Sequence, residues 1–226
     1  MEDLICPDIF ERDIKAFFTT RVLGADIKRI CEFVSLQKDD IFLPIQRHTS
    51  RVFVLDTDMV PPVADAVITK RKGILVGVKV ADCVPILLHD REETAVGAVH
   101  AGWRGTADQI VRKTIRAMGE RFSSSPQNIR IAIGPSIRWD CYIVDREVKE
   151  RICEATGEGT YMREHTNGKY FIDLASANVQ QALSMGVLKE NIWMSPDCTC
   201  CNPHAYYSYR YGKNSRGRQG GFIGIL

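Results

Sequence analysis

The sequence is short of histidine and of any excess charge. Its 226 residues include five His, and 30 Lys and Arg nearly balance 28 Asp and Glu, which leaves a formal net charge of +2. Nucleic-acid-binding proteins usually carry a strong basic excess on one face, so nucleic acid is not expected among the partners. No apolar run approaches the roughly 20 residues that a membrane-spanning helix needs, so no membrane contact is expected either.

Signals for export and for several common catalytic sites are also missing. The first residues, MEDLICPDIF, place acids before apolar residues and show no cleavable signal pattern, so we expect a cytoplasmic protein. The sequence contains no Walker loop, no dinucleotide-binding fingerprint and no G-x-S-x-G elbow. These absences argue against a nucleoside triphosphatase, a Rossmann-type dehydrogenase and a serine hydrolase. A cysteine hydrolase stays open, because Cys83 in VADCVP would need only a His partner.

The chain shows no linker, low-complexity tract or fixed-period repeat, so we expect one domain over residues 1–226. Helical spacing of apolar residues predicts helices over 25–36, 106–122, 145–156 and 173–186, with Thr106 as the N-cap of the second. Short apolar or alternating runs predict strands over 14–20, 51–56, 63–69, 73–80, 84–90, 94–101, 129–134, 191–195, 206–210 and 221–226. Helices and strands do not alternate strictly, which favours an α+β fold with mixed sheets.

Eight cysteines are present, and in a reducing compartment most of them are expected to be free thiols. The densest group is CTCCNPH, with Cys198, Cys200, Cys201 and His204. Thiols near a His favour a zinc site, but C-x-C-C is tighter than the usual C-x-x-C spacing. Buried or redox-sensitive thiols in a turn are the alternative.

A second candidate site is dispersed along the chain. His48, Cys83 and His100 each lie at the boundary of an apolar segment. Two imidazoles and one thiolate suit Zn²⁺ with an open fourth position, or a blue copper ion with a weak axial ligand. A lone His at a strand end is otherwise a hydrogen-bonded core or rim residue.

Arginines beside glycines form a third group. Arg104 follows Trp103 between two Gly, and Arg210 follows YYSY. Arg216 and Arg218 lie in the Gly-rich segment GKNSRGRQGG. Guanidinium forks suit phosphate or carboxylate, and Gly permits close backbone approach. For Arg216 a solvated surface position is the simpler interpretation.

Several of these segments together resemble the YfiH-like proteins, also called the laccase-domain or multicopper polyphenol oxidase family. The matching segments, which run in the family's order from about residue 17 to the C-terminus, are FFTTR, ADAVIT, VADCVPILL, AVGAVHAGWRGT, IAIGPSI with a following CY, DLASANVQQALSMGV, CTCC and YSYR with GRQGGFI. ADCVP and HAGWRGT are highly specific for this family.

The resemblance implies a four-layer α/β/β/α arrangement, in which two mixed β-sheets pack face to face and are flanked by helices. It also implies a single metal ion, zinc with copper as the alternative, bound by His48, Cys83 and His100. The family's first ligand usually lies in a Gln-Val-His-Gly pattern, whereas this chain has Arg47 before and Thr49 after His48. The segment between TTR and QRH is also shorter than usual, which implies a rebuilt or open wall of the pocket.

Two activities are implied by the resemblance. The older family name implies copper-dependent phenol oxidation, which needs a blue site and a trinuclear cluster, and five His cannot supply both. The better-supported activity is phosphorolysis of adenosine, inosine, guanosine and methylthioadenosine, with deamination of adenosine. Purine nucleosides and phosphate are then the expected partners. A copper-dependent polyphenol oxidoreductase and a zinc-stabilised, non-enzymatic binding protein are the alternatives.

Roles for individual residues follow from the same resemblance. Arg104 and Arg210 are expected to bind phosphate. In deamination a metal-activated water would attack C6 of the purine, with Asp82 as acid and base. Asp82 is equally well interpreted as a carboxylate that orients a ligand. The predicted catalytic set is His48, Cys83, His100 and Asp82. The aromatic candidates for stacking on the base are Trp103, Tyr207 and Tyr209.

Overall fold

Two mixed β-sheets and five α-helices make up most of the computed structural model, which describes residues 3–212 and 216–226. The strands are β1 (Leu4–Ile5), β2 (Ile14–Thr19), β3 (Ile41–Phe42), β4 (Val52–Val54), β5 (Ala66–Thr69), β6 (Leu75–Val80), β7 (Val84–Asp90), β8 (Ala95–Ala101), β9 (Ile129–Ile133), β10 (Ile143–Val144), β11 (Met162–Glu164), β12 (Tyr170–Ile172), β13 (Ile192–Met194) and β14 (Gln219–Ile225). The helices are α1 (Ile27–Val34), α2 (Trp103–Ala107), α3 (Ile110–Phe122), α4 (Arg146–Thr156) and α5 (Leu174–Ser184). Residues 213–215 of the predicted Gly-rich segment lie outside the described residues.

Both large sheets combine parallel and antiparallel neighbours. The first sheet has the order β1-β2-β14-β6-β3, and the second has the order β13-β9-β7-β8-β5-β4. The pairs β3–β6, β4–β5 and β13–β9 are parallel, and the remaining pairs in these sheets are antiparallel. The predicted mixed sheets are therefore confirmed. A small antiparallel sheet, β10-β12-β11, was not predicted, because its strands are only two or three residues long.

Apolar side chains of the central strands point alternately to the two faces of their sheet, and both faces are buried. In β7, Leu87 faces the core between the sheets, whereas Ile86 faces the core beneath α2–α5. In β14, Ile223 joins the core between the sheets, whereas Phe222 packs with Ile30 of α1. A strand buried on both faces reads as a continuous apolar run, which is what the sequence shows here. The resulting order is α1, first sheet, second sheet and α2–α5, which confirms the four-layer arrangement.

The helix predicted over 106–122 begins earlier and is divided in two. Gly102 is the N-cap of α2, and Gln109, at φ 61°, separates α2 from α3. The prediction that Thr106 is an N-cap is wrong. Thr106 lies buried inside α2, where its hydroxyl accepts a hydrogen bond from the side-chain amide of Asn178 at 3.0 Å. A residue typical of helix caps serves here as a tertiary hydrogen-bond partner between α2 and α5.

The prediction of a strand over 206–210 is wrong, because these residues form a bend and a turn. The N–H of Tyr207 donates to the side-chain oxygen of Gln219 at 2.8 Å, and the Gln219 amide donates back to the Tyr207 carbonyl at 3.0 Å. The N–H of Arg210 donates to the carboxylate of Asp82 at 2.7 Å. Side chains thus satisfy backbone groups that a strand ladder would otherwise satisfy. Among the described helices, none is long and apolar enough to cross a bilayer.

Close approach of the two sheets depends on Gly134, which follows β9. A Cβ at this position would overlap the ring of Phe18 in β2. Phe18 is 1% exposed and stacks on Trp193 with 6.2 Å between ring centroids, so it has little room to move. We expect Gly134→Ala to lower the free energy of unfolding by about 1–3 kcal/mol, as measured by urea denaturation.

Gly119 provides the matched control for this substitution. It lies in α3, where a Cβ would meet its nearest neighbour, the carbonyl oxygen of Ser124, at 3.4 Å. Alanine favours a helix over glycine by about 1 kcal/mol, so Gly119→Ala should leave stability unchanged or raise it. Equal destabilisation by the two substitutions would contradict the crowding of Gly134 against Phe18.

Candidate metal centre

Three donor side chains converge at one end of the second sheet. Cys83 immediately precedes β7 and His100 is the penultimate residue of β8, and these strands pair with His100 opposite Pro85. His48 reaches them from the loop before β4. The Cys83 Sγ lies 3.9 Å from His48 Nε2, and the rings of His48 and His100 are 4.8 Å apart between centroids. One ligand atom from each residue lies within 4.8 Å of the others. We call these residues the His–Cys–His cluster.

The buried carboxylate of Asp65 holds two members of this cluster in place. His100 donates a hydrogen bond from Nδ1 to Asp65 Oδ1 at 2.7 Å, which leaves Nε2 for a metal. The same carboxylate accepts the main-chain N–H groups of Arg47, His48 and Thr49 at 3.2, 3.0 and 2.6 Å. Burial opposes its charge, but the hydrogen bonds from His100 and Thr49 prevail and hold the pKa of Asp65 well below its usual range.

Charge on the cluster favours metal binding. Burial opposes a thiolate at Cys83, but His100 and His48 outweigh it and lower the pKa of the Cys83 thiol to about 6. The thiolate is the form of cysteine that binds metal, and it predominates at neutral pH with that pKa. Burial also opposes a proton on His100, but the Cys83 thiolate and Asp65 raise the pKa of His100 to about 9. A metal ion bound here would replace that proton.

Gly102 leaves the space that the three donors require. A Cβ at Gly102 would lie 3.0 Å from Cys83 Sγ and 3.1 Å from His48 Cδ2. The donor set of two imidazoles and one thiolate fits zinc, and it also fits copper. The residues present therefore match the kind of ion that the sequence predicted, while the identity of the ion is not determined by the donors.

The His–Cys–His cluster opens into a cleft of about 920 Å³, which is large enough for a nucleoside-sized ligand. The basic residues that line it are Lys79, Arg104, Arg210 and Arg218. The aromatic and apolar residues that line it are Leu43, Pro44, Val80, Ala81, Trp103, Ile137, Tyr142, Ile143, Val144, Val148, Leu174 and Tyr209. Apolar walls with a few converging charges are typical of small-molecule sites.

The two arginines that were expected to bind phosphate, Arg104 and Arg210, both line this cleft. The exposed guanidinium of Arg104 lies over the ring of Trp103, 4.4 Å from its centroid. The guanidinium of Arg210 donates to the carbonyl oxygen of Ile143 at 3.3 and 3.4 Å and lies 5.1 Å from the ring centroid of Tyr142. Tyr142 is therefore a cleft residue to which sequence reasoning assigned no role.

Three other predicted residues divide between the cleft and the surface. Tyr209 lines the cleft and is 58% exposed. Tyr207 does not line it and lies instead beneath the guanidinium of Arg21, 4.8 Å away. Arg216 is exposed and is not among the lining residues, which agrees with its interpretation as a surface arginine.

Asp82 is buried beside the cluster, and both of its carboxylate oxygens are engaged. Oδ1 accepts the hydroxyl of Thr199 at 2.7 Å, and Oδ2 accepts the main-chain N–H of Arg210 at 2.7 Å. Asp82 has φ 81°, and its carboxylate contacts Thr199 and Arg210, whereas the Sγ of the next residue, Cys83, lies toward His48. This geometry connects the ligand loop to the segment that carries Arg210.

Gln46 attaches the His48 loop to the first sheet. Its side-chain amide donates to the carbonyl oxygen of Lys79 at 2.8 Å, and its side-chain oxygen accepts the Lys79 N–H at 2.8 Å. The side chain thus pairs with the backbone at β6 as a neighbouring strand would. Both ends of the loop around His48 are consequently held, one by Gln46 and the other by Asp65.

The Cys-rich segment forms a second group with a partner that the sequence did not indicate. The sulfur atoms of Cys141, Cys198 and Cys201 lie within 4.8 Å of one another. His204, the predicted local partner, is exposed and is not in this group. We call the three residues the thiol cluster.

Comparison with known proteins identifies the family. Residues 20–226 match the family described as multi-copper polyphenol oxidoreductase laccase. The chain belongs to this family. The purine nucleoside phosphorylase of Aquifex aeolicus is 39% identical over 192 residues, which are 84% of this chain and 85% of the relative. Adenosine deaminase RL5, from an unknown prokaryotic organism, is 34% identical over 91% of this chain and 81% of its own length.

Solved structures agree with this membership. The crystal structure of YlmD from Geobacillus stearothermophilus matches with a TM-score of 0.90 and 27% identity, over 97% of this chain and 94% of that chain. The crystal structure of the hypothetical protein YfiH from Bacillus licheniformis matches with a TM-score of 0.88 and 25% identity, over 94% and 93% of the two chains.

One departure from the usual pattern of this family has a structural reason. Thr49 stands where the pattern has Gly, and its hydroxyl donates a hydrogen bond to Asp65 at 2.7 Å in addition to its N–H. Arg47 stands where the pattern has Val and is exposed. The altered segment therefore retains His48 and adds one hydrogen bond to the carboxylate that positions it.

We expect Asp65→Asn to weaken metal binding by roughly 10- to 100-fold, because an amide cannot accept all the hydrogen bonds that orient His48 and His100. Competition between the protein and a chelator of known affinity measures the change. Asp58→Asn, at an exposed carboxylate, is the control. Unchanged metal affinity in Asp65→Asn would show that the loop keeps its shape without this anion.

We expect Gly102→Ala to reduce metal binding while the fold is retained, because the added methyl would crowd Cys83 and His48. Gly105→Ala in the same short helix is the matched control, since its Cβ would meet its nearest neighbours at an ordinary 3.4 Å. Metal content after dialysis and the thermal unfolding temperature are measured for both. Full metal content in Gly102→Ala would mean that the donors do not need this space.

Proposed function

We propose that this chain is a metal-dependent purine nucleoside phosphorylase, with one domain over residues 1–226. Its proposed substrates are adenosine, inosine, guanosine and methylthioadenosine, and it would also deaminate adenosine. The observation that carries the proposal is the combination, in one cleft, of a metal-type donor set with the guanidinium groups of Arg104 and Arg210. The printed names of the relatives, purine nucleoside phosphorylase and adenosine deaminase, support it.

His48, Cys83 and His100 would hold the ion, which we propose to be zinc, with copper as the alternative. With three protein donors, a zinc ion would keep a position for water or substrate and would supply Lewis-acid chemistry there. The chain's own contribution is to keep Cys83 as a thiolate and to orient His100 through Asp65.

Phosphate would be bound by the arginines of the cleft. A guanidinium fork matches two phosphate oxygens, and Arg210 is already oriented by the Ile143 carbonyl and by the Tyr142 ring. In phosphorolysis a phosphate oxygen forms a bond to C1′ of the ribose while the bond from C1′ to the purine nitrogen breaks. The products are ribose 1-phosphate and the free base, which takes up a proton. Tyr209 offers a face on which the base can stack, whereas the ring of Trp103 is already contacted by the guanidinium groups of Arg104 and Arg151.

In this proposal Asp82 is a positioning residue and not the acid and base of the reaction. Its two oxygens already accept hydrogen bonds from Thr199 and from the main chain of Arg210. A carboxylate engaged in this way stabilises the wall of the cleft, and freeing it for proton transfer would leave both donors unpaired.

Phenol oxidation by several copper ions is the less favoured function. Of the histidines outside the His–Cys–His cluster, His89 pairs with Glu11 at 3.1 Å, and His165 packs on the ring of Phe171 at 4.5 Å. His204 is exposed. The three imidazoles outside the His–Cys–His cluster are therefore dispersed, whereas a trinuclear copper cluster needs many of them around one point.

The test supplies adenosine and inosine with and without phosphate and follows the products by chromatography. We expect free base and ribose 1-phosphate only with phosphate, and no turnover by Cys83→Ala. Arg210→Lys should raise the KM for phosphate by roughly 10- to 100-fold, because it removes a charge-assisted hydrogen bond of about 1.5–3 kcal/mol. The main-chain contact of Arg210 with Asp82 is unaffected by this substitution.

Arg216→Lys is the matched control, since Arg216 is exposed and lies outside the cleft lining. Base release that does not depend on phosphate would argue against phosphorolysis. If no nucleoside is consumed although one ion remains bound to the His–Cys–His cluster, the proposed function is wrong. Oxygen uptake with a phenol, lost in His48→Ala, would favour the oxidoreductase instead.

A further inference from the structure

The thiol cluster unites two segments that are distant in sequence. Cys141 precedes β10, whereas Cys198 and Cys201 lie in the loop after β13. The Sγ atoms of Cys141 and Cys201 are 3.1 Å apart, and the three sulfur atoms lie within 4.8 Å of one another. Cys200 is half-buried in the same loop.

The surroundings of Cys198 stabilise a negative charge on its sulfur atom. It is buried, and its sulfur accepts the main-chain N–H groups of Arg138 and Cys201, both at 3.4 Å. Hydrogen bonds donated to a sulfur stabilise the thiolate over the thiol. A buried anion also requires a compensating positive charge. The guanidinium of Arg138 does not supply it to Cys198, because it is committed to Asp173 at 3.0 Å and to the carbonyl oxygen of Ser195 at 2.9 Å.

We propose that Cys141, Cys198 and Cys201 bind a second metal ion of thiophilic character, Zn²⁺, separate from the ion of the His–Cys–His cluster and with solvent at its fourth position. Each thiol would release its proton to solvent on binding, and no electron transfer is involved. Zinc–sulfur bonds of about 2.3 Å in tetrahedral geometry separate sulfur atoms by about 3.8 Å. Opening the short separation between Cys141 and Cys201 by less than about 1 Å reaches that value.

Access to the site and its surroundings agree with this ion. Cys201 is exposed and Cys141 is half-buried, so an ion can enter from solvent, whereas Cys198 lies at the buried end. Three soft sulfur donors select zinc or monovalent copper over magnesium or calcium. The Cys-rich motif, which is not part of the His–Cys–His cluster, would thus supply two of the three ligands of this second ion.

An ion here would stabilise one wall of the cleft. Thr199, between two of the proposed ligands, donates its hydroxyl to Asp82. Tyr142, next to Cys141, lies beneath the guanidinium of Arg210. Both segments that the ion would join therefore continue directly into contacts that shape the cleft.

The experiment measures zinc per chain by mass spectrometry of the element, after purification with zinc and a phosphine reductant and dialysis. We expect two ions in the unaltered chain, one in Cys83→Ala, one in Cys201→Ser and none in the double variant. Cys31→Ser in α1, outside both clusters, is the matched control and should keep two. Retention of two ions in Cys201→Ser, or a single ion in the unaltered chain that is lost in Cys83→Ala and kept in Cys201→Ser, would overturn the proposal.

A second measurement begins with all three cysteines of the thiol cluster in place, so its signal does not require that the thiol variants fold. Cobalt(II) added to Cys83→Ala should give sulfur-to-cobalt charge-transfer absorption, and Cys201→Ser in the same background should remove it, since the His–Cys–His cluster then contains no thiolate. Absence of this absorption overturns the proposal. A Cys141–Cys201 disulfide, seen as a mass lower by two hydrogens, would also overturn it if the reduced protein still binds only one ion. These outcomes are independent of nucleoside turnover, so they do not depend on the proposed function.

Discussion

The carboxylate of Asp65 is the constraint on which the geometry of the His–Cys–His cluster depends. A fully buried charge is costly unless it is compensated, and here it accepts hydrogen bonds from His100, from the hydroxyl of Thr49 and from three consecutive main-chain N–H groups. Those contacts stabilise the anion, and the anion in turn holds the His48 loop in a backbone conformation with φ 57°. The position of one imidazole and the tautomer of another therefore have a common cause.

The second sheet supplies the rigid part of the same site. Its strands β7 and β8 are buried over their whole length, with apolar neighbours on both faces. Residues at the ends of paired antiparallel strands cannot move far relative to each other, since the ladder fixes their separation. Cys83 and His100 are held by this ladder, whereas His48 is held by the hydrogen bond from its N–H to Asp65 and, through the chain, by the pairing of Gln46 with Lys79. A preorganised donor set of this kind binds its ion with little cost of ordering.

The sequence predicted the parts of the site that follow from local pattern. Cys83 and His100 border apolar runs long enough to be buried strands, so their convergence follows from one hairpin. Asp65 was not identified, although a lone acid within the apolar run VADAVIT was a usable signal, because its partners lie 16 or more residues away. The prediction of a strand over 206–210 failed for the same reason. The N–H groups of Arg210 and Tyr207 donate to the distant side chains of Asp82 and Gln219, whereas residue propensity predicts a strand ladder.

Cys141 illustrates a different limit of sequence reasoning. Its contact partner Cys201 is 60 residues away along the chain, and neither CY nor CTCC has a spacing that requires the other. The four-layer order was implied by the resemblance to the family, whereas the pattern of apolar runs by itself predicted only buried strands in mixed sheets. The break in the helix at Gln109 could not be predicted from the sequence, because tertiary packing decides where a non-Gly residue adopts a φ of 61°.

The wall of the cleft and the candidate metal donor Cys83 are joined through the single peptide bond between Asp82 and Cys83. Asp82 adopts φ 81°, a strained conformation for a residue with a side chain, which costs about 1–3 kcal/mol. Two hydrogen bonds to its carboxylate, each of about 1.5–3 kcal/mol, offset that cost. The strained backbone lets consecutive side chains point in different directions, that of Asp82 into the wall and that of Cys83 toward His48 and His100. Any shift of the wall that carries Arg210 and Thr199 therefore reaches the metal donor directly, without passing through the rest of the fold.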